Sequence, residues 1–106
     1  MVDIEELKDK VIEFRDERDW KQYHNPRDLS MSISIEAAEL LELFQWDNQY
    51  PDDVDISRIE EEMADIMIYL LSLADVVDVD MEKAVKNKIK LNEEKYPTDD
   101  PETKCF

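Results

Sequence analysis

The sequence contains no glycine. Glycine opens the left-handed backbone and lets a chain approach a phosphate closely. Its absence disfavours tight β-hairpins and the glycine-rich loops that cradle nucleotide phosphates in other folds. Any phosphate bound by this chain must be held by side chains and metal. The single cysteine, Cys105, has no internal disulfide partner, so no oxidising compartment is implied. The longest apolar stretch, Ile66 to Ala74, is interrupted by Ser72 and is too short to span a bilayer. The acidic N-terminus lacks the basic region and apolar core of a signal peptide. Positive charge is scarce too, with 13 basic against 29 acidic residues and a net charge of −16. No basic patch suggests nucleic acid or an anionic membrane as a partner. A cytoplasmic protein is expected.

The 106 residues suffice for one domain, with a core over about 4–97 and a short tail over 98–106. The spacing predicts four helices. The first runs from about Ile4 to Trp20, with Ile4, Leu7, Val11, Phe14 and Arg18 on one face. Pro26 breaks the stretch after it. The second runs from about Arg27 to Trp46 around Leu29, Ile33, Leu40, Leu43 and Phe44. A loop over Asp47–Asp55 follows, rich in turn formers. The third starts at Asp55 or Ser57, with a stripe of Ile59, Met63, Ile66, Leu70, Leu73 and Val77. The fourth runs from the cap Asp80 to about Tyr96, where Pro97 ends it. Short connections between amphipathic helices predict an all-α, four-helix bundle. A chain of this size buries only about two thirds of its unfolded surface, so assembly as a homo-oligomer is expected.

Against this acidic background two carboxylate pairs are out of place. Glu36 and Glu39 stand one turn apart on the second helix, and Glu62 and Asp65 one turn apart on the third. Like charges at that spacing repel unless a cation compensates. Both pairs border the apolar seam and converge if the two helices pack antiparallel. Four carboxylates offer oxygen only, which suits Mg²⁺, with Mn²⁺ as a substitute. The competing reading is a set of boundary residues that snorkel to water, and spacing alone leaves both open. A carboxylate-bridged iron pair needs Glu-x-x-His on two helices. The only histidine, His24, lies in a loop. Neither a His–Asp metal hydrolase nor a serine or cysteine triad finds support.

The order Glu36-x-x-Glu39, then Glu62-x-x-Asp65, resembles the MazG-like nucleotide pyrophosphohydrolases, and in particular the dCTP pyrophosphatase-like branch. Glu17-Arg-Asp-Trp20 through His24, Pro26 and Arg27 is similar to that branch's first connection. Glu39-Leu-Leu-Glu-Leu-Phe-Gln-Trp46, Asp65-Ile-Met-Ile-Tyr-Leu70 and Asn92 to Tyr96-Pro97 extend the likeness over roughly residues 4–97. The resemblance implies Mg²⁺-dependent cleavage of a nucleoside triphosphate to monophosphate and pyrophosphate, in a homodimer or homotetramer. It implies that Glu36, Glu39, Glu62 and Asp65 are the metal ligands and catalytic residues. Trp20, Trp46 and Tyr69 would line the base and sugar pocket, with His24 beside them. Lys88, Asn92 and Tyr96 would reach phosphate or sugar. One departure is Val11, where deoxycytidine-preferring members carry a histidine on the first helix. The alternative function is a non-catalytic acidic bundle that binds Mg²⁺ or nucleotide and regulates a partner.

Overall fold

A computed structural model describes residues 3–46 and 55–98. Among these the chain forms four α-helices and no strand: α1 (Ile4–Glu17), α2 (Pro26–Glu42), α3 (Ile56–Val76) and α4 (Met81–Lys95). A 3₁₀ turn, Trp20–Tyr23, joins α1 to α2. Every α-helix begins on an Asp or Asn whose side chain accepts from a first-turn N–H: Asp3, Asn25, Asp55 and Asp80. Each such cap is worth about 1 kcal/mol. Pro26 occupies the first turn of α2, where its missing N–H costs nothing.

The lack of glycine shows at the helix exits. Asp19 and Asp78 take the left-handed conformation, with φ of 55° and 57°. Asp78 closes α3 as glycine ordinarily would: the Val79 N–H donates to the Ala74 carbonyl at 2.8 Å, one residue beyond the turn. Aspartate, like asparagine, tolerates this backbone better than most non-glycine residues. Asp19 ends α1 three residues earlier than expected and starts the 3₁₀ turn, which carries Trp20 back onto Phe14 with ring centres 5.6 Å apart.

The broadest contact joins α2 to α3, and α1 lies on α3. Among the described residues the buried apolar ones are Leu29, Leu43, Leu71 and Ala74, a thin core. On α3 the most buried positions are Leu71, Ser72 and Ala74. Met63 and Val77, expected in the core stripe, are exposed. The reason is that α3 is covered fully only where α1 and α2 both reach it. Ser72 is satisfied there by donating to the Ile68 carbonyl at 2.9 Å.

The expectation for α1 is corrected in the same region. Arg18 is outside the core, its guanidinium 3.7 Å from the centre of the Phe14 ring. Arg15 is the residue that goes inside, only 3% exposed, and its Nη1 donates to Asp75 at 2.8 Å. Helix α4 has no buried residue and meets α1 only lightly. Leu7, Val11, Phe14, Met67, Ile68 and Leu71 line an open apolar groove of about 490 Å³ between α1 and α3. The radius of gyration is 16.7 Å, against about 13 Å for a compact chain of 100 residues.

Candidate metal centre

Glu36 lies past the middle of α2, and Glu62 and Asp65 lie near the middle of α3. One carboxylate oxygen from each of the three falls within 4.8 Å of the others. Because α2 and α3 are each other's main neighbours, the two acidic turns face one another across the seam. Glu39 is the outlying member of the expected four. It is exposed and outside that tight group, yet it remains within hydrogen-bonding reach of Glu36 and Glu62.

The electrostatics of this arrangement are unfavourable as it stands. Glu36 Oε2 and Glu62 Oε2 are buried and lack any hydrogen-bond partner. Native proteins seldom leave such atoms unpaired, and each instance requires an explanation. Burial, the hydrogen bond with Glu39 and the charges of Glu39 and Asp65 push the Glu36 carboxyl up to about 7. Burial followed by the charge of Glu39 raises Glu62 as well. A hard divalent cation resolves both difficulties, since it pairs the orphaned oxygens and neutralises the cluster. The donor set is oxygen only and lacks the nitrogen and sulfur ligands of zinc or iron sites.

Next to the cluster, a cleft of about 290 Å³ opens between the 3₁₀ turn, the start of α2 and the second half of α3. Trp20, Tyr23, His24, Asp28, Ser32 and Tyr69 form its rim and walls, with Leu29 at its base. Burial, then the positive charge of Arg15, lowers His24 below the ordinary imidazole range, and its Nδ1 is buried without a partner. Two helical repeats connect cleft and cluster. Ser32 precedes Glu36 by one turn on α2, and Tyr69 follows Asp65 by one turn on α3.

Of the expected site residues, the fold thus gathers Glu36, Glu62 and Asp65 with Glu39 beside them, and Trp20, His24 and Tyr69 in the adjoining cleft. It does not bring the others there. Trp46 ends the turn after α2, 85% exposed and in the left-handed conformation. Lys88 is exposed on α4, while Asn92 and Tyr96 are half-buried at its far end. None of the four lines the cleft. Tyr23, Asp28 and Ser32 escaped the sequence reading. Extending the Glu36 face backwards by one and two turns would have found Ser32 and Asp28.

This geometry can be set beside known proteins. The profile of the MazG-like family matches residues 31–104, a span that begins before Glu36 and contains all four carboxylates. The chain belongs to the MazG-like family. Within it, the relatives include dCTP pyrophosphatase 1 of Rattus norvegicus, 37% identical over 100 residues, and that of Bos taurus, 38% identical over 103 residues. Those matches take in 89% of this chain and 59% of each relative, so the chain spans well under two thirds of the relatives' length. Among solved structures, a pyrophosphatase from Archaeoglobus fulgidus superimposes with a TM-score of 0.81 at 48% identity, covering 90% of this chain and 93% of that one. The all-helical MazG-like architecture expected from the sequence is therefore the observed one.

Proposed function

We propose that this protein is a divalent-cation-dependent nucleoside triphosphate pyrophosphohydrolase, which cuts between the α- and β-phosphates to give a monophosphate and pyrophosphate. The observation that carries the reading is the convergence of Glu36, Glu62 and Asp65, two of their oxygens buried and unpaired, one helical turn from the walls of an aromatic-lined cleft. The names of the relatives, dCTP pyrophosphatase and pyrophosphatase, support turnover over a non-catalytic acidic bundle.

Mg²⁺ fits the donor set best, with Mn²⁺ as its substitute. Glu36, Glu62 and Asp65 would ligate it directly, and Glu39 joins as the fourth carboxylate. Ions held there would neutralise facing anions and lower the pKa of a bound water. A triphosphate is strongly anionic and the chain carries −16, so the carboxylates need those ions to admit it. Trp20 and Tyr69 flank the base, and His24 faces it from the loop. No side-chain nucleophile is required.

The functional unit we propose is a homodimer, or a homotetramer built from it, acting on a cytoplasmic nucleotide pool. Helix α4 carries five lysines against three glutamates, and its Val85, Ile89 and Leu91 are exposed. Such a helix complements the acidic, apolar-grooved surface of a second copy. Association would also bring Trp46, Lys88, Asn92 and Tyr96 to a site they do not line within one chain.

Product analysis with a panel of deoxynucleoside triphosphates and Mg²⁺ tests the reaction. Monophosphate plus pyrophosphate is expected, and release of inorganic phosphate alone would contradict it. Glu62→Gln is expected to abolish turnover and weaken Mn²⁺ binding while leaving the helical circular dichroism spectrum unchanged. Near-normal turnover by that variant would refute the ligand assignment.

A further inference from the structure

The serines of this chain differ in what their hydroxyls do. Ser30 and Ser72 turn back on their own helices and donate to the carbonyls of Pro26 at 2.6 Å and Ile68 at 2.9 Å. Ser57 donates to the Asp55 carboxylate at 2.7 Å. Ser34 is exposed. Ser32 is half-buried, lines the cleft and makes no side-chain hydrogen bond among the described residues. A helix serine can satisfy itself on the carbonyl four residues back. A hydroxyl that leaves that carbonyl alone and faces a cleft is free to meet a ligand.

The place of Ser32 indicates which ligand group it meets. At a rise of about 1.5 Å per residue, it stands about 6 Å from Glu36 along α2, on the same face. The Cα–Cβ bond of Glu36 tilts toward the N-terminus of α2, and so toward the turn of Ser32. Trp20 and Tyr69 are the aromatic walls of the same cleft. A nucleoside held by those walls, with its terminal phosphates at the carboxylates, brings its α-phosphate past Ser32. Among the described residues no lysine or arginine lines the cleft, and Asp28, a further turn from Glu36, repels an anion. A phosphate oxygen at that point has only neutral donors to hold it. An O–H that donates to a charged oxygen makes a short bond, roughly twice as strong as a neutral one.

We propose that the Ser32 hydroxyl donates to a non-bridging oxygen of the substrate's α-phosphate, the phosphate that stays with the product monophosphate. Serine supplies there a directed donor that adds no charge and forms no covalent bond. The sugar offers only neutral oxygens at that point and is the weaker partner for the same O–H. This inference rests on the proposed pyrophosphohydrolase reading. It adds to that site a substrate contact outside both the carboxylate cluster and the aromatic walls.

The test uses dCTP, its product dCMP and the phosphate-free deoxycytidine as probes, all with Mg²⁺. Ser32→Ala removes the hydroxyl and installs the best helix former, so the helical circular dichroism spectrum and melting temperature should hold. The variant is expected to lose about tenfold in kcat/KM for dCTP and about tenfold in affinity for dCMP, equivalent to about 1.4 kcal/mol each. Its affinities for deoxycytidine and for Mn²⁺ should stay at the native values. Ser32→Thr keeps the hydroxyl and should recover most of both losses. Unchanged dCMP affinity in Ser32→Ala, an equal loss for deoxycytidine, or a threonine variant as impaired as alanine would overturn the proposal. If the native protein cleaves no triphosphate while Ser32→Ala weakens dCMP and spares deoxycytidine, the proposed reaction fails and the Ser32 contact stands. Cleavage of dCTP with dCMP affinity untouched by the substitution gives the reverse.

Discussion

Glu36 is the residue at which fold and chemistry pull in opposite directions. Its carboxyl is raised from 4.5 to about 7 by burial and by its acidic neighbours. A raised carboxyl holds its proton more tightly in the folded chain than in the unfolded one. Its contribution to stability is therefore full below pH 4.5 and is lost as pH rises through about 7. Cation binding must displace that proton, so it strengthens over the same interval. We expect Mg²⁺ to raise the melting temperature more at pH 8 than at pH 5.5. Metal-free Glu36→Gln should lose less stability than the native chain between those two values. Equal Mg²⁺ shifts at both would contradict the clustered geometry. Trp46 illustrates a different cost: a bulky residue at φ 65° is an outlier, and its ring is left almost wholly in solvent.

Among elements, the joint between α1 and α3 depends on a charge rather than a hydrophobe. Arg15 is buried, bonded to Asp75 at 2.8 Å and to Asp16 at 2.9 Å. Removing one member of such a pair leaves the other uncompensated, which costs about 3 kcal/mol when the site is dry. Asp75 retains some exposure and can be partly resolvated, so Arg15→Met should cost less than that, about 2 kcal/mol. Urea unfolding measures it. The double variant with Asp75→Asn is expected to be less destabilised than the sum of the two singles, and strict additivity would show that the pair is not coupled. The positive charge also reaches His24, so the same substitution should raise the histidine's pKa, an effect visible by NMR titration.

At the scale of the whole molecule, the thin core and the almost unpacked α4 call for association. Substituting Ile89→Asp on the exposed face of α4 should shift the molecular mass in solution to that of a monomer and reduce turnover severalfold. Size-exclusion chromatography with light scattering would show this. A native protein that is monomeric and fully active would exclude the assembly proposed above. Within the chain, much was readable beforehand. Helix caps such as Asp55 and Asp80 carry their own signal, because they satisfy the first-turn N–H groups locally. The i, i+3 carboxylate pairs were equally plain, since helical period alone puts them on a common face.

What the sequence determined by itself was local: four capped helices, and two acidic turns that repel wherever they stand on a helix. Those depend on contacts within one turn. Tertiary structure alone decided which carboxylate stands apart, that Arg15 rather than Arg18 enters the core, and that Asp28, Ser32 and Tyr69 share one cleft. Those outcomes depend on how α2 and α3 are set along one another and on where α1 ends. Asp19 settles the latter by taking the left-handed turn that glycine, absent from this chain, would otherwise supply.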